Sequence, residues 1–263
     1  MEISVDDYKK LENQPLMFVL AEFRFSPVMQ IAEYIPKIQE AVRKQYPIPA
    51  KRSEQSIQVQ SGGIAVSTLD RWAFASANKK SAIEIDQERL IYITAEYPRF
   101  DAFAQACKHA IETLVNIVEP SLILRIGLRY SDLIRVDDDE TLTDLVNEHF
   151  GFPKCIEALG LAQQQSTDIF INTAMGGLAI RALYGKHNLI CLPDVQALPV
   201  SIKRDITPSE RIILDFDHYW EAKDDAVGFE VDDVLEKLGT LHETSREAFW
   251  KITTDHARNE KWS

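Results

Sequence analysis

Arginine residues interrupt an apolar run at residues 123–135, which reads ILRIGLRYSDLIR. Guanidinium groups form paired hydrogen bonds with carboxylate or phosphate groups, so arginines that share one face of a strand can bind an anion. Side chains alternate along a strand, which places Arg125, Gly127 and Arg129 on one face and Tyr130 on the other. Gly127 leaves space between the two arginines for a ligand, a neighbouring side chain or an adjoining strand.

A third arginine occupies a similar strand. The run LAEFRF at residues 20–25 resembles RIGLRY at residues 125–130, with Arg24 in the place of Arg129. We therefore predict that an anionic small molecule or an acidic partner segment binds on the concave face of a sheet. The predicted ligand-binding residues are Arg24, Arg125, Arg129 and Tyr130.

The alternative for these arginines is a structural one. Buried charges in proteins are generally paired, so the guanidinium groups could bind carboxylates of the chain itself and join two parts of the sheet. The candidate partners are Glu22, Glu84, Glu96 and Asp132.

Two aspartates in the run DFDH, residues 215–218, suggest the alternative that the protein is an enzyme. Asp215 and Asp217 are predicted on one strand face and His218 on the other, so the three cannot share a metal while the strand stays regular. A hydrolase or nuclease would use these carboxylates. The histidines form no HExxH pattern, and we predict neither a metal nor a cofactor.

The composition argues against nucleic acid as a partner. Lys and Arg total 29 against 41 Asp and Glu, a formal net charge of −12, whereas phosphate binding uses a positive field. Three widely spaced cysteines suit a reducing compartment. Neither a signal peptide nor an apolar run of about 18 residues stands out, so we expect a cytoplasmic protein without a membrane partner.

The order strand, helix, several strands, helix occurs twice along the chain. Strand-like runs at residues 15–25 and 123–134 begin the two units, and helical spacing at residues 100–118 and 231–252 ends them. Pro120 separates the units. Such a repeat indicates an internal duplication.

Shorter runs fill each unit. A helix start is predicted at Ser26 and Pro27, another helix over residues 139–150, and a strand over NLICL at residues 188–192. The run GGIAV at residues 62–66 recurs as GGLAI further on, where Gly-Gly suits a two-residue hairpin turn.

These elements predict an α+β fold in which a duplicated strand-helix-antiparallel meander-helix unit forms a curved pseudo-twofold sheet with helices on the convex side. We expect a polar leader at residues 1–14, a first repeat at 15–119 and a second at 120–263, fused into one globular unit. In topology this is similar to the TATA-binding-protein fold, an analogy that carries no function.

Four runs also resemble a known family: PLMFVLAEFRFSP, RLIYITAEYPRFDAF, RIGLRYSDLI and LHETSREAFWKIT. They are similar to the recurrent elements of a sporadically distributed bacterial protein family with no established activity. The resemblance spans nearly the whole chain, and RIGLRY is its most distinctive part. It implies a bacterial intracellular protein and transfers no catalytic residue.

Three functions remain open at this point. The first is a binding or interaction module, placed in a bacterial defence or accessory system. The second is the hydrolase or nuclease that uses strand carboxylates. The third is a structural subunit that dimerises through a sheet edge.

Overall fold

The structure is a computed structural model that describes residues 8–60, 63–195, 198–202, 207–223 and 226–263, without the side chains of residues 54–68 and 157. The strands are β1 (Leu16–Phe25), β2 (Ile48–Gln60), β3 (Gly63–Ala75), β4 (Ser81–Ile85), β5 (Arg89–Thr94), β6 (Ile123–Arg135), β7 (Gln164–Asn172), β8 (Gly177–His187) and β9 (Ser209–Glu221). The helices are α1 (Ile31–Val42), α2 (Phe100–Val118), α3 (Leu142–Leu145) and α4 (Val231–Ile252). Short helical turns lie at Glu148–Phe150, Lys154–Leu159, Pro193–Val195 and Ala257–Lys261.

The fold is mixed α+β, with one large antiparallel sheet. Its strand order is β2-β3-β4-β5-β1-β6-β9-β8-β7. None of the helices in the described ranges is both long and apolar enough to cross a bilayer.

The strands that begin the two predicted repeats, β1 and β6, lie side by side at the centre of the sheet. Their antiparallel register sets Glu22 opposite Gly127 and Arg24 opposite Arg125. Strand β1 also pairs with β5, and β6 with β9, so both have hydrogen-bonded neighbours on each side. Most residues of β6 are buried, which explains why its charges need partners.

One face of the sheet, which we call the helix face, packs against three helices. Val19, Ala21 and Phe23 alternate along β1 toward this face and share an apolar core with α1, α2 and α4. The buried positions of α2 recur every three or four residues, as its sequence predicts. They are Phe103, Cys107, Ala110, Ile111, Leu114 and Val118.

The opposite face, which we call the arginine face, carries Arg125 and Arg129 of β6. A segment between β8 and β9, which we call the strap, lies over part of this face. Its described residues are 189–195 and 198–202. Buried strap residues such as Cys191 pack against apolar side chains of the central strands and so close this part of the sheet to water.

Three secondary-structure predictions are wrong. The run NLICL forms part of the strap, because its side chains pack on the sheet instead of its backbone joining a ladder. The helix predicted over residues 139–150 is reduced to α3 and one turn, since Val146 forms a bridge with Thr253. Helix α1 begins at Ile31 and contains Pro36, so it starts later than Ser26 and Pro27 predict.

The second pair of glycines, Gly176 and Gly177, differs from its predicted role as a two-residue turn. Gly62 lies outside the described residues. Strand β8 already begins at Gly177, which leaves residues 173–176 as the loop after β7. A Cβ atom on Gly176 would lie 2.0 Å from the carbonyl oxygen of Tyr219, so close backbone approach explains this glycine.

Two glycine substitutions should therefore have opposite effects on stability. Gly176→Ala should lower the free energy of unfolding by about 1 to 3 kcal/mol, because the backbone at Tyr219 must move. Gly239→Ala is the control, since a Cβ in α4 would meet no atom within 4 Å, and it should raise the free energy by about 0.5 to 1 kcal/mol. Urea unfolding of both variants measures the difference. Equal effects of the two variants would contradict the close approach.

Candidate functional site

Three arginines converge on one carboxylate at the centre of the arginine face. Glu22 accepts hydrogen bonds from Nε of Arg24 at 2.8 Å, from Nη1 of Arg125 at 2.8 Å and from Nη1 of Arg89 at 3.2 Å. Burial raises the pKa of Glu22, but Arg24 and Arg125 outweigh it and hold the pKa below its ordinary value. Glu22 is therefore ionised at neutral pH.

Arg125 fills the space that Gly127 leaves. A Cβ atom on Gly127 would lie 3.1 Å from Nη1 of Arg125, and the guanidinium carbon lies 4.5 Å from the ring centroid of Tyr219. The sequence allows a ligand, a neighbouring side chain or an adjoining strand in this space. In the structure the space is filled by the side chain of Arg125. The stacked ring holds the guanidinium group in one orientation.

Arg129 belongs to a second ionic cluster. Its Nε donates to Asp215 at 2.9 Å, and Nη1 and Nη2 donate to the two oxygens of Asp194 at 2.9 and 3.0 Å. Arg181 donates to the same two aspartates at 2.9 and 3.2 Å. Burial lowers the pKa of Arg129, but Asp194 and Asp215 outweigh it and raise the pKa above its ordinary value. Because Asp194 lies on the strap, this cluster fastens the strap to the sheet.

The predicted ligand-binding residues thus lie in three places. Arg24 and Arg125 meet at Glu22, and Arg129 lies with Asp215 and Asp194. Tyr130 lies on the helix face. Pairing with Glu22, one of the structural alternatives, is present, whereas Asp132 accepts no hydrogen bond from an arginine in the described chain.

The aspartates proposed for catalysis do not form a shared site. Asp215 is fully buried between Arg129 and Arg181. Asp217 lies 3.9 Å from Arg125. In the described part of the chain, no group of three or more His, Cys, Asp or Glu side chains is placed to hold a metal ion.

A cavity on the helix face was not predicted. Its volume is about 420 Å³, and its walls come from residues 8–16, the turn at residues 97–101, and the second half of α4. Strands β6 and β9 form its base. Aromatic side chains supply much of the lining, among them Tyr97, Phe100, Tyr130, Phe249 and Trp250.

Asp132 lies at the base of this cavity. It is 4% exposed, and among the described residues its carboxyl group has neither a hydrogen bond nor an ion pair. Burial, with a smaller contribution from Asp215, raises the pKa of Asp132 to about 8. Buried polar groups in folded proteins are nearly always hydrogen-bonded, so a carboxyl group without a partner is unusual.

A chain of hydrogen bonds fixes one wall of the cavity. The hydroxyl of Tyr130 lies 2.8 Å from Nδ1 of His242 and 3.3 Å from the hydroxyl of Tyr97. The imidazole of His242 stacks on Phe100, with ring centroids 3.9 Å apart. Burial, and then Arg246, lowers the pKa of His242 to about 3, so this ring is neutral at neutral pH.

The charges at the rim of the cavity are exposed or already paired. Arg246 forms an ion pair with Glu243, and its guanidinium carbon lies 4.1 Å from the ring centroid of Tyr8. Lys10 lies 3.2 Å from Glu12. Lys9, Arg99 and Asp101 also line the cavity and are exposed, so Asp132 differs from the other charged residues of the cavity in being buried.

Part of this site can be read from the sequence. Asp132 shares a strand face with Leu128, Tyr130 and Ile134, so a carboxyl group stands on an otherwise apolar face. That signal points to Asp132 as unusual. The walls come from segments far apart in sequence, and no local pattern indicates that they meet.

Arg24 and Arg129, which occupy matching positions in LAEFRF and RIGLRY, should differ in their contribution to stability. Arg129→Ala removes one of the two cations at buried Asp215, and we expect a loss of about 3 to 5 kcal/mol in the free energy of unfolding. Arg24→Ala is the matched control, because its side chain is 46% exposed and its ion pair is worth at most about 1 kcal/mol. Denaturant unfolding compares the variants. A small loss for Arg129→Ala would contradict a structural role for the second cluster.

Asp132→Asn should stabilise the protein in a pH-dependent way. The folded-state pKa lies above the ordinary value, so the native state holds this proton more tightly and the wild type loses stability as pH rises. Relative to the wild type, the variant should gain up to about 1.4 kcal/mol per pH unit between about pH 4 and pH 8. Unfolding curves at several pH values measure this gain, and a difference that is constant with pH would refute it.

Comparison with known proteins assigns no family to this geometry. Neither a scan against protein-family models nor a search of curated proteins finds a match to the chain. The function is therefore argued from the cavity and the two ionic clusters.

Proposed function

We propose that the protein is a binding module whose site is the cavity on the helix face. The ligand is a small organic molecule with an apolar ring or alkyl body. The observation that carries this proposal is the buried carboxyl group of Asp132, which lacks a partner at the base of an aromatic-lined cavity.

The size and lining of the cavity support this proposal. Ligand pockets typically measure about 300 to 1,000 Å³ and combine apolar walls with a few polar groups. The cavity, at about 420 Å³, has this combination, with Asp132 and Ser245 among its polar residues. A bound molecule would bury apolar surface against the walls and supply the hydrogen bond that Asp132 lacks.

The walls are held in place before any ligand arrives. His242 is fixed from two directions, by the hydroxyl of Tyr130 and by stacking on Phe100. Pre-organised walls lower the entropic cost of binding, because fewer side chains must be ordered.

Anion recognition on the arginine face is the second proposal. It is favoured by the convergence of Arg24, Arg89 and Arg125 on Glu22. Arg89 also pairs with Asp86, and Arg125 with Glu221, so Arg24 is the least compensated of the three. Arg24 uses only its Nε in that contact and is 46% exposed, so its terminal nitrogens can donate to an anion in solvent. Arg129 contributes less, because all its nitrogens already donate within the chain.

We also propose that the chain arose by duplication, with Pro120 between the halves. The sheet order supports this, because β5-β4-β3-β2 follow β1 on one side and β9-β8-β7 follow β6 on the other, so that only β2 lacks a counterpart among the described strands. Each half ends in a long helix, α2 or α4. Under this proposal the pseudo-twofold axis passes near the pair Glu22 and Gly127.

A ligand panel tests the binding proposal. The panel contains aromatic amines, aromatic alcohols, aromatic acids, nucleotides and acidic metabolites, and binding is followed by thermal shift and by tryptophan fluorescence, since Trp250 lines the cavity. Phe100→Ala removes an aromatic wall and should weaken binding at least about tenfold. Phe170→Ala is the control, because this phenylalanine is exposed on β7, away from the cavity.

The variants separate the two proposals. Binding that is lost in Phe100→Ala and kept in Phe170→Ala supports the cavity. Binding of an anion that is lost in Arg24→Ala and kept in Phe100→Ala assigns the function to the arginine face instead. If no member of the panel binds to the wild type, both proposals are wrong for these ligand classes.

A further inference from the structure

We infer that the cavity selects an organic cation, a protonated amine on an aromatic or alkyl body, with Asp132 as its counter-ion. This inference rests on the proposed function and adds the chemical class of the ligand. It follows from three observations: the missing partner of Asp132, the aromatic walls, and the absence of a second charge at the base of the cavity in the described chain.

Ionisation of the Asp132 carboxyl group depends on a compensating charge. An ionised carboxylate inside a protein is costly unless a cation or several donors compensate it. Glu22 and Asp215, two other buried acids on the sheet, have such partners. Burial also raises the pKa of Glu84, although Arg71 and Arg89 partly offset that effect. Asp132 has none among the described residues, and burial therefore favours its protonated form. A ligand cation beside it would stabilise the ionised form instead.

The aromatic walls of the cavity also favour a cation. Aromatic faces attract cations through the negative charge of the ring face. The cavity already shows this contact, because the guanidinium group of Arg246 lies over the ring of Tyr8. A ligand ammonium group would meet Tyr97, Tyr130 and Phe216 in the same cavity.

Among the described residues, the base of the cavity offers no positive charge to an anionic ligand group. The titratable groups that line the cavity near Asp132 are Tyr130 on β6, Tyr97 before α2, and His242 on α4. His242 is neutral at neutral pH and so provides no positive charge. Arg246 on α4 is paired with Glu243, and Lys10 with Glu12. Lys9 and Arg99 line the exposed rim, where solvent screens their charge.

A linkage with pH follows from this assignment. The cation binds the ionised form of Asp132, so affinity should rise with pH and level off only above about pH 8, where this carboxyl group becomes mostly ionised. Below that point affinity should fall by up to about tenfold per pH unit, and binding should release a proton to the buffer. The charge of the nearest other acid, Asp215 on the arginine face, contributes to the same dependence.

Titration calorimetry with three probes of matched size tests the inference. The probes are phenethylammonium, 2-phenylethanol and phenylacetate, which carry a positive, a neutral and a negative group on the same ring. Phenethylammonium should bind at least about tenfold more tightly than 2-phenylethanol, and phenylacetate should bind most weakly. The measured enthalpy should differ between buffers of unequal ionisation enthalpy, because a proton is released.

Substitution of the carboxyl group completes the test. Asp132→Asn should reduce the affinity for phenethylammonium by at least about tenfold and leave 2-phenylethanol within about twofold. Asp168→Asn is the matched control, since Asp168 is exposed on β7 and does not line the cavity, and it should change neither affinity by more than about twofold. The pH dependence of phenethylammonium binding to the wild type tests the same role of Asp132 without any substitution.

The possible outcomes distinguish the inference from the proposed function. If 2-phenylethanol binds as tightly as phenethylammonium, with no proton release, the cation is wrong and a protonated Asp132 donates to a neutral ligand. If phenylacetate binds most tightly, the cation is wrong as well. If none of the probes binds, the inference fails, and the proposed function fails with it only when the wider panel is also silent.

Discussion

The antiparallel pairing of β1 with β6 is the contact on which the rest of the molecule depends. It joins the two halves of the sheet and brings Glu22 of one half against Arg125 of the other. Each strand must then satisfy different conditions on its two faces. The helix face excludes water by apolar packing, whereas the arginine face keeps charged side chains that compensate each other.

Strand β6 shows the contrast within a few residues. Arg129, on one face, donates from three nitrogens to two aspartates, and this is how structural charges are normally accommodated in a protein. Asp132, on the other face, is more deeply buried than Arg129 but has no compensating group in the described chain. Strand β6 therefore carries an arginine whose partners lie within the chain and a carboxyl group without a partner among the described residues. At Asp132 a ligand can supply the missing partner, whereas Arg129 already has its partners.

The sequence predicts much of the fold because its strands and long helices obey simple periodicity. The apolar face of α2 and the alternation in β6 are of this kind. The strap could not be predicted, because NLICL has the same apolar texture as a strand and differs only in what it packs against. Pairing of Arg125 with Glu22 was among the expected alternatives, but the cavity was not. Its walls depend on how α4 and residues 8–16 are placed after folding.

The origin of the cavity walls also has a consequence for synthesis of the chain. Residues 8–16 leave the ribosome before the rest of the sheet, whereas α4 follows after all nine strands of the described chain have been made. No partial chain that lacks α4 can contain the complete cavity. A molecule bound there would associate only with protein in which both halves are finished and joined. In the cell, occupancy of the cavity would then report completed folding and would protect only completed molecules from unfolding and proteolysis.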